Sequence, residues 1–150
     1  MKDEKSRAGT AHEMVMMNLA IFHLLLPVAA LSSGYLRIFL SIALIGSILM
    51  ISWVLHKSHQ QDEVDLVTAH WQLAWKRCRL LIISYAIATA IMLIGWLLAS
   101  VQTDHNMFSI MLVVFSRIAA VPIVLMVLGL FIMETTALSQ ARQGLFPDKS

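Results

Sequence analysis

Four long stretches of this chain hold almost no charged residue: Met14 to Leu36, Ile38 to His56, Leu80 to Thr103, and Met107 to Met133, the last interrupted only by Arg117. At about 1.5 Å per helical residue, each is long enough to cross a hydrocarbon core of about 30 Å. The pattern predicts an all-α integral membrane protein, a four-transmembrane-helix bundle in one membrane domain over residues 1–150. The spans are placed at about 14–32, 36–56, 79–100 and 107–133, with a cytoplasmic arm at 57–78.

The polar breaks predict how the spans connect. Leu31-Ser-Ser-Gly-Tyr35 reads as a tight turn in which Gly34 takes positive φ, and Gln102-Thr-Asp-His-Asn106 as a second, with Asp104 or Asn106 capping the fourth helix. The expectation is two antiparallel hairpins joined by the arm. Tyr35 and Trp96 fall at the outer interface level, Trp53 and Trp75 at the inner one. Ala43 with Ser47, Ser84 with Ala88, Ala86 with Ala90, and Ser116 with Ala120 are small residues four apart, the spacing that lets helices approach closely in lipid. No internal repeat or heptad run is visible, so inverted repeats within one chain are not expected.

Composition sharpens this picture. Hydrophobic residues make up 59 % of the chain and charged residues 13 %; the mean hydropathy is +0.77. Nearly all the mass then lies in the spans, which leaves no room for a soluble catalytic domain. The lone Cys78 cannot form an internal disulfide and is expected as a free thiol in a reducing compartment. A rival reading takes the basic start and Leu19 to Leu31 as a cleaved signal peptide ending near Ala30 and Ser32. Asp3, Glu4 and Glu13 dilute its charge, and Asn18, His23 and Pro27 interrupt its core, so the first span is retained.

Charge sets orientation. Of the eleven basic residues, all but Arg37 and Arg117 fall in the N-terminal tail (Lys2, Lys5, Arg7), the arm and its edge (Lys57, Lys76, Arg77, Arg79), or the C-terminal tail (Arg142, Lys149). Short basic segments stay on the cytoplasmic side, so both termini are expected there, in a bacterial inner membrane. A formal charge of +2 gives no reason to expect nucleic acid as a partner.

Two groups carry candidate chemistry inside the spans. Arg117 lies about 15 Å from Met107, near mid-bilayer, where a charge costs about 2.5 kcal/mol or more. His23 lies about 13 Å from the inner edge. Pro27 frees the carbonyl of His23 and Pro122 that of Ile118, so each span is expected to kink beside an ionisable group. One reading makes Arg117 and His23 a binding site for an anion, a proton or a ligand headgroup between the first and fourth helices. In the others, Arg117 satisfies freed carbonyls or a neighbouring subunit, or it snorkels to the outer interface from a fourth span shifted toward residues 113–135.

The arm offers weaker signals. If helical throughout, His56, His59, Glu63 and His70 share a face, yet a chain reversal near Gln60-Gln61-Asp62, with Asp62 as a cap, would separate them; no metal site is expected. Val64, Val67, Trp71, Ala74 and Trp75 recur at helical spacing, so the arm lies on the membrane or extends the third span as one helix. Trp75, Lys76, Arg77 and Arg79 are placed to meet lipid headgroups. A haem would need His12 with His56, and the His12-Met14-Met16-Met17 group only faintly suggests soft-metal ligation; no cofactor is expected. No Walker motif, nucleophile elbow, HExxH or catalytic carboxylate pair is present, and no enzyme activity is expected. The sequence therefore points to an accessory, anchoring or assembly subunit of a larger membrane complex. The alternatives are a small oligomeric transporter or channel and, third, an electron-transfer anchor. Partners are lipid and other membrane subunits or further copies of the chain.

Overall fold

The computed structural model describes residues 2–60 and 64–147. Among them every regular element is helical: α1 (Lys2–Met17), a π-helical segment (Asn18–Leu25), α2 (Leu26–Ser33), α3 (Leu36–His59), α4 (Asp65–Ser100) and α5 (His105–Gln143). Four helical stretches are long and apolar enough to cross a membrane: Asp3–Ser33, Leu36–His59, Asp65–Ser100 and His105–Gln143. Each contains one expected span, and three run well beyond it.

The N-terminal extension is the largest departure from the sequence reading. A polar tail was expected before Met14, yet α1 is helical from Lys2. Ala8, Ala11, His12, Val15 and Leu19, three and four residues apart, are all 0–1 % exposed. That spacing is one face of a helix, and alanines on it let neighbouring helices come close. The segment is thus held by packing, which composition alone does not reveal.

Local breaks follow the chemistry of a few residues. Pro27 stands in the first turn of α2 and lacks the N–H that would bond the His23 carbonyl. In place of a simple kink, the chain widens: the Leu26 N–H reaches the Ile21 carbonyl, five residues back. Gly34 ends α2 with φ of 75°, as the turn requires. At the second turn Asp104 accepts the Asn106 N–H on Oδ1 at 2.9 Å, and its carbonyl accepts the Phe108 N–H at 3.0 Å, opening α5. Pro122 lies inside α5, which remains one helix. The arm from Asp65 and the third span are likewise one helix, α4.

The chain divides into two compact units, Met1–Cys78 with Leu130–Ser150, and Arg79–Gly129. In the first, Gly46 of α3 lies against the Phe22 ring, and Ala43 and Ser47 are buried. In the second, Gly95 of α4 lies against Cβ and Cγ of Phe115 on α5. There Ser84 and Ala88 are buried, whereas Ala86, Ala90, Ser116 and Ala120 are exposed. Only 11–22 % of each most apolar window is buried, so the spans present most of their apolar surface outward.

Candidate functional site

The densest polar cluster lies in the first unit, where α1, the N-terminal part of α4 and the C-terminal part of α5 meet. Its side chains sit on stripes of helical spacing. Val67, His70, Trp71, Ala74, Arg77 and Cys78 are buried along α4, and Leu130, Glu134, Ala137 and Ala141 along α5. Small residues beside the polar ones (Ala8, Ala11, Ala74, Ala137, Ala141) leave room for imidazole and carboxylate groups to touch across the helices.

Three hydrogen bonds run in series. Glu134 Oε2 lies 2.6 Å from His12 Nδ1. His12 Nε2 lies 2.8 Å from His70 Nδ1, the two rings meeting edge to face at 87°. His70 Nε2 donates to the Leu145 carbonyl at 3.0 Å. His12, His70 and Glu134 are all 0 % exposed.

The far end of the series depends on a glycine. The Leu145 N–H bonds the Gln140 carbonyl and the Gly144 N–H that of Ala141, the paired bonds of a Schellman cap. Gly144 supplies the required left-handed φ of 78°. Turning the chain there brings the Leu145 carbonyl to His70, while Lys5 packs over Gly144.

Arg77 closes the other end. Its Nη1 donates to the Met133 carbonyl at 2.9 Å and lies 3.4 Å from Glu134 Oε1. Glu134 Oε1 and Arg77 Nε have no hydrogen-bond partner among the described residues. The carboxylate therefore faces an imidazole on one oxygen and a guanidinium on the other. Outside this core, Arg142 donates to Glu13 at 2.9 Å with both groups largely exposed, a contact worth little by itself. His70 belongs to the 57–78 arm, before the apolar run that starts at Leu80.

Sequence reading placed these groups apart: His12 with His56, His70 with His56 and His59, Arg77 with lipid headgroups. In the structure His56 accepts from Gln60, and the His59 ring bonds the Leu55 carbonyl, both exposed near the end of α3. Glu63 and the Asp62 cap lie outside the described residues. No group of three or more metal-ligating side chains is assembled among the described residues. Of the four headgroup candidates, Lys76 and Arg79 are exposed and Trp75 is half-buried, while Arg77 turns inward. The signal that could have found the site is Ala8-Ala11-His12-Val15, a buried-face spacing inside an otherwise polar segment.

His23 and Arg117 fall in different units. His23 is half-buried, and its Nδ1 donates to the Asn18 carbonyl at 3.0 Å across the π segment. Asn18 itself is 1 % exposed, with neither side-chain polar atom hydrogen-bonded among the described residues. Arg117 is exposed on α5, next to Ser116, whose hydroxyl donates to the Val113 carbonyl.

No family model matches this chain, and neither does any curated protein or solved structure.

Proposed function

We propose that this chain is a small, non-catalytic, multi-pass membrane protein acting as an accessory, anchoring or assembly subunit of a larger membrane complex. Arg117 carries the reading. It is exposed on α5 among exposed Val113, Val114, Ile118 and Val121, within one of the four helices apolar enough to cross a membrane. In this proposal Arg117 lies near mid-bilayer, where a guanidinium facing lipid costs about 2.5 kcal/mol or more. A partner helix with a carboxylate or other polar acceptor opposite Arg117 removes that cost, and the exposed small residues Ser116 and Ala120 let its backbone approach. In this proposal both termini face the cytosol of a bacterial inner membrane, with lysine and arginine retained inside.

The test is recovery of the tagged full-length chain from its host membrane in mild detergent, followed by mass spectrometry. The wild type is expected in a defined hetero-complex. Arg117→Leu should lose the partner at unchanged membrane abundance, and Arg117→Lys should keep part of it. A complex indifferent to Arg117→Leu would remove this reading.

A second reading, a small oligomeric transporter or channel using Arg117 and His23, draws support from the π segment. Such segments recur at functional positions, and this one holds His23 and a buried Asn18 amide within an apolar helix. A homo-oligomer that passes ions in liposomes, with flux lost in His23→Leu, would favour it.

A further inference from the structure

We propose that Glu134, His12 and His70 form a proton-transfer site, holding one excess proton that is shared along the two buried bonds joining them. The inference rests on the first unit alone and does not depend on how Arg117 is used.

The argument is a count of hydrogens. The Leu145 carbonyl only accepts, so His70 Nε2 must carry a hydrogen in the bond of 3.0 Å. His70 Nδ1 and His12 Nε2, 2.8 Å apart, need one hydrogen between them. His12 Nδ1 and Glu134 Oε2, 2.6 Å apart, need another, because a bare carboxylate oxygen and a bare ring nitrogen repel at that distance. Three hydrogens therefore satisfy the whole series. Two neutral imidazoles supply two of them, so the third is an excess proton, and it makes the carboxylate and two rings neutral in sum.

That proton has three places to rest without breaking a hydrogen bond. It sits on Glu134, leaving both rings neutral, or on His12, giving an imidazolium beside a carboxylate. In the third arrangement His12 keeps its Nδ1 hydrogen, its Nε2–H bond breaks as a His70 Nδ1–H bond forms, and the charge moves to His70. Every step transfers one proton along an existing bond, and neither redox nor covalent chemistry is involved. A fourth hydrogen would set two donors against each other, and a second alone would set two acceptors, so the series favours a count of three.

The surroundings fit this role. Among the described residues, Arg77 and Cys78 of α4 face Glu134, and Lys5 of α1 lies over Gly144 at the far end of the series. Residues 144–147 bring no ionisable side chain. Arg77 sets its guanidinium 3.4 Å from Glu134 Oε1, the oxygen that the series does not use. Leu145 is 52 % exposed, which puts the carbonyl end near solvent, while Glu134 Oε1 keeps free accepting capacity at the buried end.

The experiment is NMR on the full-length chain, labelled with nitrogen-15 in its histidines and held in lipid nanodiscs at neutral pH. Expected are a coupling between His12 Nε2 and His70 Nδ1 through the shared hydrogen, and a far-downfield hydrogen on the His12–Glu134 bond. Assignment uses loss of signals in His56→Gln, His59→Gln and His105→Gln, which alter exposed residues only. Finding only two hydrogens on the series overturns the proposal without any variant of the site. Glu134→Gln adds the test of transfer: its amide donates to His12 Nδ1 and keeps all three bonds while pinning every hydrogen. The downfield signal should vanish, the coupling should persist, and the His12 hydrogen should no longer exchange with deuterium in the time the wild type does. Equal exchange in both proteins would make the series a structural latch and sink the transfer role.

Discussion

Arg77 and Asn18 show opposite sides of the rule that buried polar groups need partners. Arg77 is the cation for a fully buried Glu134 and the donor to the Met133 carbonyl. Arg77→Ala should cost about 3 kcal/mol, because it removes the one guanidinium beside a buried carboxylate. Arg77→Lys should recover part of that loss, read as the midpoint of unfolding in detergent. Asn18 has nothing to lose among the described residues: its amide is buried without a hydrogen bond. Asn18→Leu is therefore expected to leave the unfolding midpoint unchanged or raised, and a marked drop would reveal a polar ligand or water held there.

At the scale of elements, close approach is carried by two glycines whose neighbours differ in freedom. A Cβ on Gly46 would meet the far edge of the Phe22 ring, which can swing on two torsions. A Cβ on Gly95 would meet the root of Phe115, its Cβ and Cγ, which cannot move without its backbone. Both alanine variants overpack, at about 1–3 kcal/mol. Gly95→Ala should be the worse, and Phe22→Leu should rescue Gly46→Ala, whereas Phe115→Leu should not rescue Gly95→Ala because the clashing atoms remain. Comparing unfolding midpoints for the four proteins decides it. Helix extents were legible where apolar runs set them, and the turns at Gly34 and Asp104 were legible from residue type. The helicity of Lys2 to Glu13 was not, because its few apolar residues are alanines whose worth depends on what packs against them.

For the whole molecule, the outward apolar surface is the governing fact. Each of the four helices apolar enough to cross a membrane leaves most of its most apolar window unburied, and in the proposed topology lipid covers that surface. The proposed topology predicts that a reporter fused after Ser150 is active in the cytosol and silent outside. Placing arginine or lysine in the loop at 101–106 should weaken or invert that bias, since orientation follows basic residues in short loops. An active reporter outside the cell would overturn the orientation while leaving the helices untouched.

The sequence by itself determined the number of long apolar helices and the turns at Gly34 and Asp104, because these depend on run length and on residue types at neighbouring positions. Tertiary structure alone decided that His12 meets Glu134, 122 residues away, and His70, 58 away. Those meetings depend on the rotation and axial register of three helices, which are set by the fit of alanine-lined faces. No local pattern in the chain encodes that fit.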